Sequence, residues 1–120
     1  LKTTDLGTIE ISQYAIAGLV SHAAKQTYGV VGMAEPTRAS HLAATLTRDP
    51  HRGVTIHLDD NQMLTINVYI IVNYGINIAS VANSLIKAVR YQVETHTTMT
   101  VKQVNIHVQG LRMTSPDQRF

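Results

Sequence analysis

A chain of 120 residues and 13.2 kDa is one domain long, enough to bury roughly two-thirds of its unfolded surface around a single core. Hydrophobic residues make up 44% and charged residues only 15%, against ~25% in an average domain. That excludes a chain kept disordered by charge and leaves uncharged surface free to face a partner. Ten Lys and Arg against eight Asp and Glu give a net charge of +2, without the clustered basic stripe of a dedicated nucleic-acid binder. Cysteine is absent, which removes disulfides, thiolate metal sites and cysteine nucleophiles together. No apolar run reaches the ~18 residues needed to span a membrane, and no signal peptide opens the chain. The expectation is a soluble cytoplasmic protein that reaches a membrane only through a partner.

In chain order, Leu6 to Ile11 reads as a short strand with Ile9 and Ile11 on one face. Ser12 is suited to cap a helix, since its hydroxyl accepts from an orphan backbone N–H. Ile16, Leu19, Val20, Ala23 and Ala24 then recur at helical spacing, and Gly29 follows as a stop. Val30 to Ala34 is short, apolar and β-branched at its start, the pattern of a buried strand. After Pro36, the spacing of Ala39, Leu42, Ala43 and Leu46 predicts a short helix, closed by Asp49, Pro50 and Gly53. Val54, Ile56 and Leu58 alternate with Thr55, His57 and Asp59, a half-buried strand. Asp60, Asn61 and Gln62 read as a hairpin turn without the Asn-Gly signature.

The returning strand places Leu64, Ile66, Val68, Ile70 and Val72 on one face, and Met63, Thr65, Asn67, Tyr69 and Ile71 on the other. Gly75 ends it. Asn77 is placed to cap a second long helix whose stripe is Ile78, Val81, Ala82, Leu85, Val89 and Val93, ending at His96-Thr97-Thr98. A last strand alternates Val104, Ile106 and Val108 with Asn105, His107 and Gln109, and Gly110 closes it. The residues after about 113 read as a frayed tail. The pattern predicts a single α+β domain over residues 1–120: a mixed sheet of about five strands, two long helices packed on one face and one short helix.

The other sheet face would carry Thr55, His57, Asn67, Tyr69, Ile71, Asn105, His107 and Gln109. A solvated face with scattered apolar residues is the plain reading of such a surface. A partner contact through His57, Asn67, Tyr69, Ile71, Asn105 and His107 is the functional one. Arg38, Arg48 and Arg52, around the short middle helix, form a candidate basic edge for an acidic partner or a phosphate; an ordinary solvated edge is the alternative.

The remaining constellations are weaker. His22, His41, His51, His57, His96 and His107 form no H-x-H or H-x-x-x-H pair. His57 and His107 become neighbours only if their strands pair, and a zinc site would still lack ligands. No metal and no cofactor is therefore expected. Gly29-Val30-Val31-Gly32 matches the G-x-x-G of KH modules, but two valines replace the exposed polar residues of a backbone clamp. A turn glycine leading into a buried strand is the better reading, and nucleic-acid binding ranks low. Asp59 and Asp60 sit at a hairpin tip, where turn chemistry rather than acid–base catalysis is expected. No nucleophile–base pair, Walker loop or dinucleotide fingerprint is present, so no catalytic residue, enzyme activity or small-molecule substrate is expected.

Six segments taken together resemble a known family. They are Gly7-Thr8-Ile9-Glu10-Ile11-Ser12, Tyr28-Gly29-Val30-Val31-Gly32-Met33, Arg52-Gly53-Val54, Tyr69-Ile70-Ile71-Val72-Asn73-Tyr74-Gly75, Ile78-Ala79-Ser80-Val81-Ala82 and Val104-Asn105-Ile106-His107-Val108-Gln109-Gly110. In this order and spacing, from about Gly7 to Pro116, they resemble the alkaline-shock-protein family of bacterial envelope stress-response proteins, close to its compact YloU-like branch. The resemblance implies a non-enzymatic cytoplasmic protein that self-associates or is recruited to the membrane by an anchor protein. For compact members it also implies a second role, as adaptor to a dihydroxyacetone-kinase-like enzyme of fatty-acid metabolism. It carries over no catalytic residues. The long charged tails of the stress-abundant members are missing here, which favours the compact branch.

Overall fold

The computed structural model of the protein describes residues 2–34 and 53–113. The strands are β1 (Lys2–Thr4), β2 (Gly7–Ile9), β3 (Val30–Met33), β4 (Val54–Leu58), β5 (Met63–Asn73) and β6 (Thr100–Arg112). The helices are α1 (Gln13–Gln26) and α2 (Ile78–Thr97). The class is α+β, with a mixed four-stranded sheet and both helices on one of its faces.

β5 is the centre of the sheet. It pairs antiparallel with β4 along one edge and parallel with β6 along the other. Its upper end also pairs antiparallel with β3, on the β4 side. β3 and β4 are thus two halves of one edge strand. The chain leaves that edge after Ala34, whose N–H donates to the Tyr69 carbonyl at 2.9 Å. It returns at Gly53, whose carbonyl accepts from the Tyr69 N–H at 2.8 Å. The backbone of Tyr69 therefore holds both stumps. The predicted short helix lies between them, outside the described residues, as do Arg38, Arg48 and Arg52.

The core follows the predicted parity. Leu64, Ile66, Val68, Ile70 and Val72 are fully buried under Ile16, Val20 and Ala24 of α1 and Leu85, Val89 and Val93 of α2. The other parity of β5, from Met63 to Asn73, is half-buried throughout. Ser12 Oγ accepts from the Ala15 N–H at 3.0 Å and starts α1; Asn77 Oδ1 does the same for Ser80 at 3.0 Å and starts α2. α2 ends at Thr98 in the left-handed region, with its N–H on the Glu94 carbonyl. Ile78, the first residue of α2, faces water rather than the core.

Two expectations need correcting. The N-terminal strand does not join the four-stranded sheet: among the described residues β2 pairs only with β1, forming a two-stranded hairpin. Local alternation identifies a strand but not its neighbour. The last strand is also longer than its clean alternation, running from Thr100 to Arg112 because two bulges, at Lys102 and Gln109, break the period without breaking the pairing.

The β4–β5 turn shows why no Asn-Gly was needed. Asp59 Oδ1 accepts from the N–H groups of Asn61 (2.9 Å) and Met63 (3.0 Å), and Gln62 takes the positive φ of 64°. The Met63 N–H, above all, holds the Asp59 carboxyl below its ordinary range; partial burial opposes this, and the Asn61 N–H, Lys102 and His57 add to it. A lowered native value means the ionised form stabilises the fold above the unfolded pKa. That contribution fades as pH falls below about 4, through the lowered native value. Thermal melts between neutral and acid pH should show the loss in the wild type. Asp59→Ala should be less stable at neutral pH and show a smaller acid-side drop; identical pH curves for the two would count against the turn assignment.

Candidate functional site

The outer face of the sheet is the candidate site, and β5 and β6 build it. Parallel pairing sets Asn67 beside Asn105 and Tyr69 beside His107. The Tyr69 and His107 rings stack, with centroids 4.4 Å apart and planes 12° from parallel. Asn67 Oδ1 accepts from Asn105 Nδ2 at 3.1 Å and meets His107 Nε2 at 3.2 Å, which makes Nε2 the donor. Gln103 Nε2 donates to Asn105 Oδ1 at 2.8 Å and extends the chain of bonds along β6. Gln103, Asn105, Asn67, His107 and Tyr69 thus form one connected set, with all but Gln103 half-buried.

One row further along β5, Ile71 lies between Gly32 of β3 and Gly110 of β6. A Cβ on Gly110 would stand 3.7 Å from Ile71, and one on Gly32 would stand 4.0 Å away. Neither glycine is crowded out, yet neither offers a side chain. Ile71 therefore stands between two positions without side chains, one row from the Tyr69–His107 stack. An amide-and-ring cluster next to an apolar residue flanked by glycines can present flat stacking surface, hydrogen-bond groups and an apolar contact to a protein partner.

Of the predicted interaction residues, the structure brings Asn67, Tyr69, Asn105 and His107 together, with Ile71 adjoining. His57 stands apart. Its strand, β4, pairs with β5 on the opposite side from β6, so the condition for a His57–His107 neighbourhood fails. His57 sits across from Thr65, exposed, and within electrostatic reach of Asp59. Among the described residues no group of three or more His, Asp or Glu converges on a metal position. His96 Nδ1 lies 2.9 Å from the Gln92 carbonyl, one turn back on α2. His41 and His51 lie outside the described residues.

The Gly29–Gly32 motif is not an exposed clamp. Gly29 is a buried turn residue at φ +95°, and Val30 to Met33 are strand β3, paired with β5. A Cβ at Gly29 would lie 2.5 Å from Ile76 Cδ1 and 2.9 Å from Val81 Cγ2, so its role is close packing.

A match to a family model runs from residue 1 to residue 113, nearly the whole chain. It covers both helices, every strand and the outer-face cluster. The chain belongs to the alkaline shock protein 23 family. That family is described by a cell envelope-related function. Among its relatives, YloU of Bacillus subtilis is 37% identical over 94% of this chain and 95% of its own. Spy1614 of Streptococcus pyogenes is 30% identical over 94% of this chain and 93% of its own. YqhY of Bacillus subtilis is 29% identical over 98% of this chain and 86% of its own. For this member of the alkaline shock protein 23 family, no described helix is long and apolar enough to cross a membrane.

Sequence reading named most of the cluster but missed how it is joined. Gln103 continues the alternation of Asn105 and His107 by one step, just before Val104, where the apolar alternation begins. Gly32 and Gly110 become flanks of Ile71 only through non-local pairing, although an interior strand glycine is itself a sign of close approach or a missing side chain.

Proposed function

We propose that this chain is a non-catalytic interaction protein of the bacterial envelope stress response, which docks a protein partner on the outer face of its sheet and reaches the membrane through that partner. The observation that supports this is the Tyr69–His107 stack, bonded through Asn67 to Asn105 and Gln103 and set beside Ile71 with its flanking glycines. Rings pre-positioned by hydrogen bonds lose little freedom on binding, which is what an interface anchor requires. The envelope-related family supplies the cellular setting.

Quantitative pull-down from detergent-solubilised envelope of the native host tests the reading. Wild-type chain should capture a membrane-anchor protein. Tyr69→Arg, which places a charge in the stack, should weaken that capture by about tenfold or more while the fold persists. Equal capture by both chains would overturn the assignment of the face. A dihydroxyacetone-kinase-like or other lipid-synthesis enzyme as the dominant prey would replace the envelope role with that of a metabolic adaptor.

A further inference from the structure

The free edge of β6 is a second surface, formed by backbone groups rather than by the side chains of the outer face. β6 runs thirteen residues and, among the described residues, pairs only with β5. An edge strand of this length normally carries charges, prolines or a cover against further pairing. β6 has such a cover at one point. The Val101 N–H donates to Glu94 Oε2 at 2.9 Å, and the Val101 carbonyl accepts from Arg90 Nη1 at 2.7 Å. Both groups come from α2, so the backbone of Val101 faces away from β5 and is plugged there.

This orientation fixes the rest of the edge. In an L-chain strand the face taken by a side chain and the edge taken by its own N–H and C=O alternate together. Val101 points its side chain into the core, as Val104, Ile106 and Val108 do. The backbone groups of these three residues therefore face the same outer edge. Among the described residues no side chain bonds to them.

The open stretch also reads nearly the same in both directions: Gln103-Val104-Asn105-Ile106-His107-Val108-Gln109. It contains no charged residue and no proline. Its middle, from Gln103 to Val108, pairs regularly with β5 between the bulges at Lys102 and Gln109. An antiparallel copy centred on Ile106 would set Val104 opposite Val108, Asn105 opposite His107 and Gln103 opposite Gln109. The pairs Val104–Val108 and Ile106–Ile106 would then be those that exchange both backbone bonds. Val101, plugged by Arg90 and Glu94, would end the ladder.

We propose that the free edge of β6 is the interface of a two-fold dimer of this chain, with residues 103–109 paired antiparallel to the same residues of a second copy. The self-complementary run selects a second copy over an unrelated strand, because each polar and each apolar position meets its like. The two-fold axis stands perpendicular to the sheet, so two four-stranded sheets become one, and both Tyr69–His107 stacks lie on the same side of it. A partner bridging both faces would gain avidity from this arrangement.

Analytical ultracentrifugation tests the interface and its register together. Wild-type chain should be a dimer. Gln103 and Gln109 are exposed, so their replacement spares the core. Gln103→Lys with Gln109→Lys sets like charges opposite each other at two places and should raise the dissociation constant about tenfold or more. Gln103→Lys with Gln109→Glu sets opposite charges at the same two places and should restore the dimer, less so at high salt. Circular dichroism reports whether each chain folds, and the charge-paired variant keeps the test decisive if the double-lysine chain does not. A monomeric wild type, a dimer indifferent to the two lysines, or a charge-paired chain as weak as the double-lysine chain would each overturn the proposal. Tyr69→Arg lies away from this edge and should leave the dimer intact, so loss of partner capture and loss of the dimer are separable failures.

Discussion

Gly53→Ala should destabilise the protein by about 2–4 kcal/mol, lowering its melting temperature by on the order of 10 °C. Gly53 has φ +86°, a conformation that L side chains rarely adopt. Space is the larger obstacle. A Cβ there would stand 2.8 Å from the Ala34 carbonyl oxygen, 3.0 Å from Met33 Cβ and 3.2 Å from the Tyr69 carbonyl oxygen. Two of these three neighbours are backbone, held by the bonds that tie Ala34 and Gly53 to Tyr69. They cannot move without opening the junction of β3 and β4. Gly75→Ala is the control: its φ is +94°, but nothing lies within 4 Å of the added Cβ. It should cost only the backbone strain, about 1 kcal/mol. Equal melting temperatures for the two variants would show that crowding at the junction is not what selects glycine at position 53. Because Tyr69 is also the ring that stacks on His107, Gly53→Ala should weaken partner capture as well.

Leu85→Ala should cost about 2–5 kcal/mol in chemical denaturation. Leu85 is fully buried on the sheet-facing stripe of α2, within the cluster that holds Leu64, Ile66 and Val68. Removing its branched end loses transfer free energy and leaves a cavity that packed β-branched neighbours cannot collapse to fill. Ile78, assigned to the same stripe by periodicity, is 41% exposed, and Ile78→Ala should cost less than about 1 kcal/mol. A Leu85→Ala cost as small as that of Ile78→Ala would mean that α2 does not pack as described.

Particular residues show how far the sequence could be read. Asn77 and Ser12 announced the starts of their helices because a cap is a contact across three residues, entirely local. The parity of β5 was visible because one face of a half-buried strand must be continuously apolar. The cluster of Asn67, Tyr69, Asn105 and His107 followed from parity as well: each points away from the core, and their strands are neighbours. His57 passes the same parity test and still does not join them. Parity assigns a face, whereas β4 lies on the other side of β5. Gln103 passes the parity test too, and was missed because the apolar alternation that marks β6 begins only at Val104.

Read by itself, then, the chain determined its two long helices, its β4–β5 hairpin, the inward faces of β4, β5 and the middle of β6, its α+β class and its family. All of these rest on interactions between residues a few positions apart, or on patterns repeated along the whole length. Tertiary structure alone decided that β6 runs parallel to β5, that β3 and β4 share one edge through Tyr69, that β1 and β2 form a sheet of their own, and that Val104, Ile106 and Val108 turn their backbone groups away from β5. Those outcomes depend on which distant strand takes up each row of backbone hydrogen bonds. An N–H or a carbonyl is the same donor or acceptor in every residue but proline, so the choice is made by the packing of side chains brought together from far along the chain.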